Sequence, residues 1–61
     1  MKLTMIQSGT AACILDALSN KEIARAMDCT VLAATRRVEF LMHLLGARNR
    51  VHLALILKDI A

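Results

Sequence analysis

The chain has 61 residues, 57% of them hydrophobic, with one Phe and no Trp, Tyr or Pro. It is too apolar for a disordered segment and long enough for one domain, which at this size buries only about 60% of its unfolded surface. The formal net charge is +3, and its placement matters more than its size. Lys2 cancels Asp16 and Lys58 cancels Asp59, so the whole excess lies in residues 21–50, where Lys21, Arg25, Arg36, Arg37, Arg48 and Arg50 face Glu22, Asp28 and Glu39. A basic middle between neutral flanks fits a polyanionic partner. Strands are not expected, because no Asn-Gly or Gly-Gly turn separates alternating β-branched runs. No apolar run reaches the ~18 residues of a membrane span. Met1-Lys2 is not followed by a secretory apolar stretch, so Cys13 and Cys29 are expected as thiols in a cytoplasmic protein.

Taken in order, the first expected helix spans about residues 6–18, capped by Thr4 or Ser8, with Ala11, Ile14, Leu15 and Leu18 as its buried positions. Gly9 and Thr10 are poor helix formers, and its first turn is expected to fray. A second helix, about 20–27, opens with Ser19 and Glu22 at capping-box spacing and buries Ile23, Ala24 and Met27. Asp28-Cys29-Thr30 breaks the pattern, and Thr30 caps a third helix over 31–45. Its inward stripe is Ala34, Val38, Leu41 and Leu45, and Gly46 stands where a left-handed residue ends a helix. Asn49 caps a fourth helix, about 50–60. The whole chain, 1–61, then forms one all-α domain of four helices. A short helix, a tight turn and a longer helix in the middle are the layout of a helix-turn-helix.

Leu3-Thr4, the run SNKEIA at 19–24, LLG at 44–46 and ARNR at 47–50 together resemble the LuxR/GerE-type helix-turn-helix domain, and the spacing between them matches without a gap. The resemblance covers nearly the whole chain. It implies a four-helix DNA-binding domain whose third helix enters the major groove and whose fourth helix forms a dimer. Members are usually fused to a receiver or ligand-binding domain, and a free-standing form also occurs. The chain departs from the family pattern in its first helix, where Ile6 to Ala11 replace an acidic run. It departs again at 33–37, where Ala33, Ala34, Thr35, Arg36 and Arg37 replace a T-V-K-x-H string, and at Leu44, where the family carries lysine.

The outward stripe of the third helix assigns base contacts to Leu32, Thr35, Arg36 and Glu39. Arg36 to guanine O6 and N7 is the strongest of these, at roughly 1–3 kcal/mol of discrimination. Glu39 also suits a surface pair with Arg36 at i, i+3, and His43 suits solvent. Leu32 and Phe40 are bulky apolar residues on an exposed face, which suits contact with a protein. Asn20, Lys21, Arg25, Arg37, Arg48 and Arg50 are the expected phosphate contacts, with the first amides of the second helix as a further anion site. The fourth helix is apolar nearly all round. Ala54, Leu57 and one of Val51 or Leu53 cover the core, and Leu53, Leu55, Ile56 and Ile60 are available for a two-fold dimer.

No C-x-x-C or H-x-x-x-H spacing joins Cys13, Cys29, His43 and His52, so no metal site is expected. No nucleophile-base pair, Gly-rich phosphate loop or cofactor motif is present, and neither catalysis nor a cofactor is expected. Two functions fit: a small dimeric transcriptional regulator binding double-stranded DNA, or a module of the same fold that binds and modulates a larger regulator protein.

Overall fold

A computed structural model describes residues 2–60. Among these the chain is all-helical, in four helices: α1 (Met5–Leu15), α2 (Asn20–Ala26), α3 (Val31–Leu45) and α4 (Arg50–Ile60). Each start follows from a local side chain. Thr4 Oγ1 accepts from the Gln7 amide while Gln7 Oε1 accepts from the Thr4 amide. Ser19 and Glu22 close the same reciprocal box on α2. Thr30 Oγ1 accepts from the Ala33 amide at 3.0 Å, and Asn49 Oδ1 accepts from the His52 amide at 2.8 Å. Each box satisfies amides that a helix start otherwise leaves without partners.

The first three helices end by a shared device. Ala17, Asp28 and Gly46 have φ of 59°, 53° and 70°. The amide after each bonds back five residues, Leu18 to Cys13, Cys29 to Ala24 and Ala47 to Met42, at 3.1, 2.9 and 2.8 Å. This is the Schellman pattern, in which one left-handed residue reverses the chain and its successor fills an orphan carbonyl. Gly46 suits that conformation and Asp28 tolerates it, whereas the Cβ of Ala17 costs roughly 1–2 kcal/mol there. Helix α1 therefore stops at Leu15, three residues short of the expected end. Leu18 packs against the core from the link, and Leu15 is exposed.

The core is Ala11, Cys13, Ile14, Ile23, Ala24, Ala34, Val38, Leu41, Leu53 and Leu57. Leu45 and Met27, expected inside, are half-buried at its edge. Gly9 and Thr10 belong to this packing and are no weak point. Thr10 is fully buried, its hydroxyl 2.9 Å from the Ile6 carbonyl oxygen and 3.5 Å from Met27 Sδ. A Cβ on Gly9 would stand 3.2 Å from Met27 Cε, so the missing side chain lets α1 settle onto the end of α2.

Helices α1 and α3 each pack against the other three, whereas α2 and α4 make no backbone approach to each other. On α4 the phase is settled in favour of Leu53, which has 0% exposure, over Val51 at 71%. No helix of the described residues is long and apolar enough to cross a membrane.

Candidate functional site

The outward stripe of α3 is open. Leu32, Arg36, Glu39 and His43 are all exposed, as is Phe40 beside them. Thr35, on the flank, is half-buried and its hydroxyl is engaged twice, accepting from Asn20 Nδ2 at 3.1 Å and donating to the Val31 carbonyl at 2.9 Å. A base could meet its methyl group and one remaining acceptor lone pair, with the donor already used.

Asn20 and Arg50, expected to hold phosphates, are tied into the fold. Arg50 donates from Nη2 to the Leu18 carbonyl and from Nη1 to Asn20 Oδ1, and the Asn20 amide continues to Thr35. This relay links the α1–α2 link, the start of α2, the first half of α3 and the start of α4. It is a side-chain bridge between two helices whose backbones make no close approach. Its partners are carbonyl oxygens without strong donors of their own, which is why a guanidinium with several fixed donors suits the position.

The relay has an electrostatic by-product. Lys21 follows Asn20, Arg36 follows Thr35 and Arg48 lies two residues before Arg50, and all three are exposed. Three cations from three segments are therefore anchored within one or two residues of a single hydrogen-bonded cluster. Arg25, one turn along α2 from Lys21, is exposed as well. Arg37 is different: half-buried, it lies across the α2–α3 turn with Nη1 3.5 Å from Cys29 Sγ and 4.0 Å from Met27 Sδ. Sulfur is a weak acceptor, so its guanidinium keeps capacity for a stronger one.

At the start of α2 the Glu22 carboxylate accepts from the Ser19 amide and Ser19 Oγ accepts from the Glu22 amide, so two of the amides there are already bonded. Hydrogen bonds from the Ser19 amide and hydroxyl lower the Glu22 carboxyl below its ordinary value, burial opposes them, and Arg25 lowers it further. A carboxyl lowered by folding contributes stability above the ordinary carboxylate range and loses it as pH falls through the lowered value. Glu22→Gln keeps a cap acceptor but removes the charge. Its melting temperature should therefore vary less with pH than the parent's between about pH 7 and pH 3. Parallel curves from the two proteins would show that the cap charge is immaterial.

On α4 the four residues assigned to a dimer do not share one face. Leu53 is sealed in the protomer's own core and offers a partner nothing. Ile60 borders a groove with Leu3, Ala12, Leu15 and Leu57 on the α1 side. Ile56 is half-buried, and Leu55 is 62% exposed. The outward apolar pair is Leu55 with Val51, one turn before it.

Sequence reasoning missed this pair because every position of α4 but a few is apolar. It also missed a groove of 420 Å³ between the start of α1 and α3, lined by Thr4, Ile6, Gln7, Thr10, Arg36, Arg37 and Phe40. Cys13 and Cys29 are free thiols, and among the described residues no three of His, Cys, Asp and Glu converge as metal ligands would. Comparison of the chain with protein-family models, curated proteins and solved structures finds no match.

Proposed function

We propose that this chain is a small DNA-binding regulator of the LuxR/GerE type, working in the cytoplasm as a dimer through α4. The observation that carries the reading is the Arg50–Asn20–Thr35 relay, which fixes the backbone within one or two residues of the exposed cations Lys21, Arg36 and Arg48. Arg36 is the base-reading side chain, with Leu32 and Glu39 beside it. Lys21, Arg25 and Arg48 are the phosphate contacts, and Arg37 is a weaker one. Asn20, Thr35 and Arg50 position these groups and do not themselves grip the duplex. The motifs SNKEIA and LLGARNR support the same reading through their resemblance to the family. Val51 and Leu55 would form the centre of the two-fold contact, and a dimer sets two α3 helices one DNA turn apart, as palindromic sites require.

The test is fluorescence anisotropy on duplexes at several salt concentrations. If Lys21, Arg25 and Arg48 each neutralise one phosphate, log affinity should fall against log salt with a slope of about 3 per protomer. Arg36→Ala should relax base preference at one position by roughly 1–3 kcal/mol. Arg25→Ala should instead weaken all sequences alike and reduce the slope by about one. Absent or salt-insensitive binding would remove the reading, and equal behaviour of the two variants would remove the division of labour between them.

A further inference from the structure

We propose that the groove between the start of α1 and α3 binds an acidic peptide segment carrying a large apolar side chain, on a surface that shares Arg36 and Arg37 with the proposed duplex interface. Its walls are Ile6 and Phe40, each 53% exposed, with Arg36 and Arg37 along one side. None of the lining side chains carries negative charge. The neutral ones have little to accept with: Thr4 Oγ1 and Gln7 Oε1 take each other's backbone amides, and the Thr10 hydroxyl turns inward to the Ile6 carbonyl and Met27. The groove therefore presents apolar surface and two guanidiniums, with its neutral acceptors already partly engaged. Arg37 adds to the demand, since its present partners are two sulfurs.

A ligand that answers all of this needs carboxylates for the guanidiniums and an apolar side chain to lie between Ile6 and Phe40. A phosphodiester backbone answers the first requirement and leaves the second unmet, and this favours a peptide. The volume is in the range of about 300–1,000 Å³ typical of ligand pockets, enough for an anchor side chain with its neighbours outside. Carboxylate–guanidinium pairing at the rim of an apolar contact is a common division between specificity and affinity.

The experiment uses the intact chain and three labelled peptides of about twelve residues. The first is polyglutamate with a central Phe-Leu pair, the second replaces that pair with Ser-Ser, and the third replaces every Glu with Gln. Anisotropy should show binding of the first and at least about tenfold weaker binding of the other two. Phe40→Ala and Arg37→Gln should each weaken the first peptide by about fivefold or more, with Leu55→Ala unchanged. Circular dichroism melts establish that each variant is folded, and Ile6→Ser tests the opposite wall should Phe40→Ala unfold. Equal binding of all three peptides, or folded wall variants with unchanged affinity, would overturn the proposal. Phe40→Ala should leave duplex binding intact. Peptide binding is expected whether or not any duplex binds, so this inference and the DNA reading fail separately.

Discussion

Leu53→Ala is expected to leave the protein largely unfolded at room temperature, while Leu55→Ala, two residues on, leaves its stability within about 0.5 kcal/mol of the parent. Leu53 has no exposed surface and sits with Leu57, Ile14 and Leu41 in the core of the described residues. Removing such a leucine costs about 2–5 kcal/mol through lost burial and the cavity left behind. A single core in a chain this short supplies only some 3–5 kcal/mol in all. Far-ultraviolet circular dichroism against urea reads the difference directly. Sedimentation equilibrium then separates the second effect: Leu55→Ala should shift a dimer toward monomer without unfolding it. A Leu53→Ala protein that melts like the parent would show that the packing of α4 against α1 and α3 is wrong. Unchanged self-association in Leu55→Ala would exclude the Val51/Leu55 face as the contact.

Arg50→Met is expected to lower stability by about 2–3 kcal/mol. The variant keeps most of the aliphatic stem and removes the donors to Leu18 and Asn20. Hydrogen bonds from a charged group contribute about 1.5–3 kcal/mol each, and partial solvent exposure keeps the pair below the sum. Arg50→Lys should fall between, because an ammonium cannot present the guanidinium's fixed fork to two acceptors. Urea titration of the three proteins, with unchanged slope, is the check. If Arg50 were instead a free cation awaiting phosphate, Arg50→Met would leave the midpoint in place and affect DNA affinity alone. The relay thus separates a positioning residue from a contact residue by a measurement that needs no DNA.

How much of this was legible in the sequence depends on the range of the interaction concerned. The caps at Ser19, Thr30 and Asn49 and the stop at Gly46 are written within five residues, and α3 begins and ends where those signals put it. Ala17 carries no such signal: alanine is a strong helix former, and only the backbone bonds of the link make it turn left-handed. Helix α1 is accordingly shorter than its apolar spacing suggests. On α4 the near-continuous apolar run hides its own phase, so Leu53 and Leu55 read alike although one is core and the other surface. The roles of Asn20, Thr35 and Arg50 rest on side-chain bonds across 15, 30 and 32 residues, which no local pattern encodes. Arg36, Lys21, Arg25 and Arg48 were recognisable as exposed cations because charge on a helix flank or in a link defaults to solvent. The α1–α3 groove was not, since it exists only once the two helices are docked.

The left-handed turns after α1, α2 and α3 bear on how the links exchange with solvent. The amides of Leu18, Cys29 and Ala47 lie outside any helix, yet each is bonded to a carbonyl of the helix before it. Deuterium can reach them only when that helix end opens. In a hydrogen-exchange time course these three link amides should follow the adjoining helices and lag well behind an ordinary loop, so the stretches that look loosest on paper open no sooner than the turns they terminate.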